Sequence, residues 1–273
     1  MKTHPLTQLQ VRRGMRLSIF DGMLAQAFYG LTWPGSVFVT GFALLLGAGS
    51  FTIGLLAALP PLLSGVNLLA AWALERVGRR RRFFAATSGI HRSVILLFMV
   101  IPFAAGTASR PALLWLLIGV IFVSVFFGAF QHTAWMSWMA DMIPEDRRGA
   151  FFSRRNMLCG GLWMVQSYAI GQLLTRQNTE LTYALVFAAA TLLAVPSILL
   201  VTAQPEPPLE TDPDRPSLID LWRHAWNLKQ FRWFLFFQLA WGFTTSLAGP
   251  FYNVYMLQNL GIPIGQITAW GVV

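Results

Sequence analysis

Three ionisable side chains stand inside otherwise apolar stretches of this 273-residue chain: Asp21, Arg92 and His132. A charge at the centre of a bilayer costs about 2.5–3.5 kcal/mol on insertion scales, so each of the three needs a partner or a task. If the stretches are membrane helices, a rise of about 1.5 Å per residue puts Asp21 roughly 6 Å, His132 roughly 9 Å and Arg92 roughly 13 Å from the same membrane face. Arginine reaches several ångströms along its stem, so the three can meet at one level. Two chemistries fit that meeting. Asp21 or His132 titrates, taking up a proton or answering the charge of a solute. Alternatively, Asp21 and Arg92 form a buried ion pair that fixes helix packing, and His132 makes a helix-to-helix hydrogen bond. His91, next to Arg92, reads as a solvating neighbour of that arginine.

The elements that must position these groups are membrane helices. Hydrophobic residues make up 55% of the chain and charged ones 11%, too apolar a balance for a soluble domain of this length. About 20 mainly apolar residues cross a bilayer, and seven such stretches occur at 17–40, 51–74, 83–105, 112–138, 157–175, 181–203 and 231–257. An eighth begins near Gln266. All but Arg92, Arg110 and Arg176 of the 20 Lys and Arg residues fall in four groups at span ends: from Lys2 to Arg16, Arg76 to Arg82, Arg147 to Arg155 and Arg215 to Arg232. Basic loops resist translocation, so these ends are expected in the cytoplasm together with the N-terminus. The formal charge of +9 therefore points to anionic lipid headgroups, not to nucleic acid. The basic start runs into a long span with no A-x-A site, which reads as an uncleaved anchor. Turns on the opposite face are expected at Leu46 to Ser50, Gly106 to Arg110, Gln177 to Glu180 and Gln258 to Pro263.

Residues 204–216 interrupt the pattern with proline and acid, as a solvated linker that packs no core. After it, Ser217 and Asp220 form a cap pair for a short helix. Leu218, Leu221, Trp222, Ala225 and Trp226 recur there at helical spacing, opposite Arg223 and Asn227. That stripe suits either a helix on the membrane surface or one packed on the protein itself. Six spans, a long linker and further spans is a layout used by transporters built from two helix bundles.

Between the second and third spans runs Ala71-Trp72-Ala73-Leu74-Glu75-Arg76-Val77-Gly78-Arg79-Arg80-Arg81-Arg82. It resembles the loop motif of the major facilitator superfamily: an acid, a basic residue, any residue, Gly, then two basic residues. Glu75, Arg76, Gly78, Arg79 and Arg80 match in type and order. Glu75 replaces the usual aspartate, adding a methylene, and Ala71 replaces the usual glycine. A second loop, with Asp141, Arg147, Arg148, Gly149, Arg154 and Arg155, is similar to the one bacterial members carry between spans four and five. Here Pro144 is expected to set a first helical turn and Gly149 to reverse the chain. The R-x-x-x-G and G-P-x-x-G-G motifs associated with the family are absent, and the second of these is linked to proton-driven drug antiport.

The resemblance implies an all-α integral membrane protein: a six-helix N-terminal bundle over 1–203, a cytoplasmic linker over 204–230 and the start of a second bundle over 231–273. It implies that Glu75, Arg76, Gly78, Arg79 and Arg80 gate the cytoplasmic side, although holding the loop inside explains the same arginines, Arg81 and Arg82 above all. It also implies a central cavity lined by spans one, four and seven. These carry Gln26, Tyr29, Thr32 and Trp33; Ser124, Gln131 and Thr133; and Gln238, Thr244, Thr245 and Asn253. Gln26, Tyr29 and Trp33 share one helix face. Amides with aromatics suit a small polar or amphipathic solute, and helix-to-helix bonding explains them as well.

The expected function is secondary active transport of a small solute, with or without a coupling ion, in a bacterial inner (plasma) membrane as a multi-pass protein. A non-transporting half-protein or scaffold is the alternative, with the seventh span exposing a polar face until a second bundle or chain covers it. A membrane-embedded transferase fits less well. Its carboxylate pair would be Glu145 and Asp146, which lie beside neutralising arginines. No nucleotide-binding motif occurs, and Cys159 is the one cysteine, so no catalytic residue, metal or cofactor is expected.

Overall fold

Proline and glycine divide the helices of this chain more finely than the hydropathy pattern implies. A computed structural model describes residues 6–209, 223 and 226–271. Among these every regular element is helical: α1 Gln8–Thr32, α2 Val37–Leu45, α3 Ser50–Leu63, α4 Val66–Val77, α5 Arg80–Ser93, α6 Val100–Ala104, α7 Arg110–Met142, α8 Glu145–Arg176, α9 Glu180–Thr202, α10 Lys229–Val254 and α11 Ile264–Trp270. A 3-10 stretch, Val94–Met99, joins α5 to α6, and a π-helical turn, Tyr255–Asn259, follows α10.

The first expected span is interrupted at Trp33–Ser36, where Pro34 and Gly35 separate α1 from α2. The second is bent by 45° between α3 and α4, because Pro60 and Pro61 lie in the last turn of α3 and remove the donors that would continue it. Pro102 in α6 likewise cannot bond the Phe98 carbonyl, and the chain relaxes into 3-10 geometry just ahead of it. Thr7 starts α1 with a capping box, its hydroxyl accepting from the Gln10 amide. Gly78 ends α4 at φ +67°, a conformation that costs a residue with a Cβ about 1 kcal/mol or more.

Four stretches are long and apolar enough to cross a membrane: Gln8–Leu45, Arg80–Ala104, Arg110–Met142 and Glu180–Thr202. The bent pair α3–α4 makes a fifth. The expected spans at 157–175 and 231–257 lie on α8 and α10, which are long but too polar to qualify alone. On the inner side of α8, which packs against α1 and α11, Gln166 donates to the Ala27 carbonyl at 2.7 Å and Gln172 to the Gly265 carbonyl at 3.3 Å. Turns on the far face fall where expected, between α2 and α3, α6 and α7, α8 and α9, and ahead of α11.

The face turned outward is apolar. Along α9, Leu185, Leu192, Leu193, Val195 and Leu199 are exposed, an arrangement that water penalises and lipid does not. The expectation that α10 shows a polar face is only partly met. Its exposed residues include Gln238 and Thr244 but also Trp233, Phe234, Phe236, Phe237 and Trp241.

Inside, two separate apolar cores stack along the bundle. One is aromatic and lies toward the far face, with Phe42, Phe98, Tyr183 and Phe187 joined by ring contacts and Phe28 in the same cluster. The other lies toward the arginine-rich end and holds Leu74, Phe84, Trp138, Met142, Phe151 and Val201. In α1, α5, α7 and α9 the residues between these cores are polar: Asp21, Arg92, Ser124 with Gln131, and Ser197. A polar waist crosses the bundle there.

The expected free linker is tied down at its start. Gln204 is fully buried and Pro207 is buried, while the Trp138 indole donates to the Pro205 carbonyl at 2.8 Å. Gly149 does not reverse the chain; it lies inside α8, and the turn is made at Ile143–Pro144. Glu145 and Asp146 then occupy the first turn of α8, where carboxylates are favoured. Arg148 donates back to the Ile143 carbonyl at 3.0 Å and to the Ala140 carbonyl, closing the end of α7. The expected cap pair Ser217 and Asp220 and most of the following stripe lie outside the described residues.

Candidate functional site

The polar waist opens into a cavity of about 550 Å³ between α1, α3, α4, α5, α7 and α8. Asp21 reaches it from α1, where Gly22 and Gly30 leave room for Arg155 and Trp163 of α8. The carboxylate is 3% exposed. Its Oδ2 lies 3.9 Å from Nη2 of Arg155, and its Oδ1 is buried without a hydrogen-bond partner. Arg155 is held by two further contacts: Nε donates to the Ser18 carbonyl at 3.1 Å, and the guanidinium sits 4.6 Å from the centre of the Trp135 ring. That second contact is of cation–π type.

Gly22 leaves the room that this arginine fills, since a Cβ there would lie 2.6–2.7 Å from three guanidinium atoms. Gly22→Ala is therefore expected to push Arg155 off Asp21 and to destabilise the protein by about 1–3 kcal/mol. Thermal unfolding in detergent checks this, and a wild-type midpoint would show that the arginine yields freely.

Deeper along α1, the Tyr29 hydroxyl donates to Oε1 of Gln131 at 2.6 Å. The Tyr29 ring stacks on His91 with centres 5.5 Å apart. His91 Nδ1 donates to the Ser124 carbonyl at 2.5 Å, and the Ser124 hydroxyl donates to the His91 carbonyl at 3.0 Å. These reciprocal bonds join α5 to α7 and fix the imidazole tautomer. His91 thus belongs to the cavity wall and not to Arg92, contrary to the expectation from sequence. Gln26, Thr32, Trp33, Ser64, Asn67 and His132 complete the polar and aromatic lining.

Arg92 does not pair directly with Asp21. Its Nη1 donates to the Ala194 carbonyl at 2.5 Å and to the Ser197 hydroxyl at 2.6 Å, beside the helical proline Pro196 of α9. It remains near enough to act electrostatically on both Asp21 and Tyr29. The ion-pair partner of Asp21 is Arg155, which the basic spacing by itself places in the loop between spans four and five. A helix starting after Pro144 carries position 155 about 15 Å inward at 1.5 Å per residue, so that signal was available. His132 faces the cavity beside Trp135, with ring centres 6.5 Å apart, and makes no helix-to-helix hydrogen bond among the described residues. Asn253 donates to the Gly35 carbonyl at 3.2 Å and lines a second cavity of about 460 Å³ with Gln26, Tyr29 and Trp33. Gln238 lines neither cavity and is exposed. Thr133 donates within α7 to the Ala129 carbonyl.

At the basic end, Arg80 is the buried member of the motif, 2% exposed. It forms an ion pair with Asp141 of α7. Its Nε donates to the Ser137 hydroxyl at 3.0 Å, and Nη1 to the Pro207 carbonyl at 3.1 Å. The Arg81 amide donates to Glu206 at 3.2 Å and its guanidinium to the Gln204 carbonyl at 3.1 Å. Arg76 stacks on Trp72 at 3.8 Å, and Arg79, Arg82 and Arg154 are exposed. Glu145 and Asp146 face Arg148 and Arg147 at 3.7 and 3.6 Å. Among the described residues no group of three or more His, Cys, Asp or Glu is gathered for a metal ion.

An all-helical bundle with an apolar exterior, a polar waist and a cavity at that waist defines a multi-pass membrane protein. The sequence model of the Major Facilitator Superfamily matches residues 20–273, and the chain belongs to that superfamily of membrane transporters. No curated protein and no solved structure matches it significantly.

Proposed function

We propose that the protein is a secondary transporter that carries a small solute by alternating access, with the basic end of the bundle in the cytoplasm of a bacterial cell. The observation that carries this reading is the cavity at the polar waist, walled by Asp21, Tyr29, Gln131 and Arg155 and set between two apolar cores. Gln26, Trp33 and Asn253 extend it toward the far face. Glu75, Arg76, Gly78, Arg79 and Arg80, with Asp141, Arg147, Arg148, Gly149 and Arg154, form the cytoplasmic gate. The basic loops there rest on the anionic leaflet.

Alternating access predicts that a cysteine at position 26 is reached from either side of the membrane. Gln26→Cys in a Cys159→Ala background is expected to react with an impermeant thiol reagent in both right-side-out and inside-out vesicles. A non-transporting scaffold predicts reaction from one side or neither, and that result would remove the transport reading. Proton coupling is the second reading, favoured by Asp21, among the described residues the single carboxylate in the cavity wall, with no hydrogen-bond partner at Oδ1.

A further inference from the structure

The waist holds more positive than negative charge. Arg155 and Arg92 both act on Asp21, and among the described residues Asp21 is the one Asp or Glu in the cavity wall. The other titratable groups facing the cavity are Tyr29, His91 and His132; protonation of either imidazole would add positive charge, not balance it. Arg92 is 1% exposed and its Nε and Nη2 are buried without hydrogen-bond partners. Two guanidiniums against one carboxylate, with Asp21 and Arg92 buried and Arg155 largely so, leave a charge that desolvation makes costly until an anion arrives. A cationic solute would have to take Asp21 from both arginines and then sit beside them. The wall around this charge is aromatic, with Trp33, Trp135 and Tyr29, and the cavity of about 550 Å³ lies within the usual range for organic ligands.

We propose that the solute, on the transport reading above, is a small organic monoanion: a carboxylate or similar acid with an apolar or aromatic body. Its anionic head meets Arg155, which offers a planar donor fork that Asp21 engages only loosely at 3.9 Å. The body lies against Trp135 and Trp33. Asp21 then competes with the solute for the same guanidinium.

The test is equilibrium binding to the purified chain in phosphatidylcholine nanodiscs, read by tryptophan quenching, with benzoate, benzamide and benzylamine as matched probes. Benzoate is expected to bind saturably and more tightly than the neutral and cationic probes. Arg155→Gln weakens it by about tenfold or more, and Arg155→Lys retains part of the affinity. Asp21→Asn tightens it, a gain that no loss of folding can imitate. If Arg155→Gln does not fold, the Asp21→Asn comparison decides. Benzylamine binding as well as benzoate, benzoate binding unchanged or weakened by Asp21→Asn, or no saturable benzoate binding below about 10 mM overturns the proposal. Failure of the transport reading looks different: benzoate binds as expected but no vesicle accumulates it. Uptake of a neutral or cationic solute would keep transport and remove the anion.

Discussion

Asp21→Asn is expected to leave the protein folded and to abolish any dependence of uptake on a proton gradient. The substitution keeps the shape of the side chain and removes its charge. Arg155 loses a loose partner at 3.9 Å, yet it keeps the Ser18 carbonyl and the Trp135 face. The structural cost is therefore toward the low end for a broken buried pair, about 1–3 kcal/mol. The functional loss is larger on the proton-coupling reading, because among the described residues no other carboxylate lines the cavity. Uptake in vesicles with and without an imposed pH gradient is the measurement. Unchanged gradient dependence would sink Asp21 as the coupling group and shift attention to His132, which also faces the cavity.

Asp21 was legible in the sequence because a lone acid in an apolar stretch has few explanations. Its partner was not, for a physical reason. Arg155 stands in a basic group, and basic groups at span ends read as topology signals; only the continuation of α8 back to Glu145 takes that residue inward to the waist. Arg92 differs in the opposite direction. Its depth along α5 suggests a partner on α1, whereas Ala194 and Ser197, on either side of Pro196 in α9, supply the bonds it makes. The alternation of spans and turns came through hydropathy, whereas the breaks at Pro34, Pro60 and Pro102 follow from missing backbone donors that an averaged hydropathy does not register. The start of the linker departs from its composition for a related reason. Proline and acid in 204–209 suggest solvation, yet backbone carbonyls fixed by proline are good acceptors, and Arg80, Arg81 and Trp138 use three of them.

That anchoring makes Arg80 the most consequential arginine at the basic end. Arg80→Ala is expected to cost about 3 kcal/mol, because it breaks a pair with one fully buried member. Asp141 is 48% exposed and rehydrates once freed, which keeps the cost from rising further. Arg82 is exposed and forms no ion pair among the described residues, so Arg82→Ala should stay within about 0.5 kcal/mol. Thermal unfolding in detergent separates the two. Amide hydrogen exchange at Gln204 and Glu206 adds a local readout. Loss of the Arg80 bond to the Pro207 carbonyl should loosen that segment and speed exchange in Arg80→Ala but not in Arg82→Ala. Asp141→Asn should reproduce part of the effect, and the double variant Arg80→Ala with Asp141→Asn should add little to Arg80→Ala, since both remove one interaction. If Arg80 and Arg82 behaved alike, the arginines of this loop would be holding it on one side of the membrane and nothing more. A difference of the expected size instead makes Arg80 a mechanical tie between α5, α7 and the segment that leads out of α9.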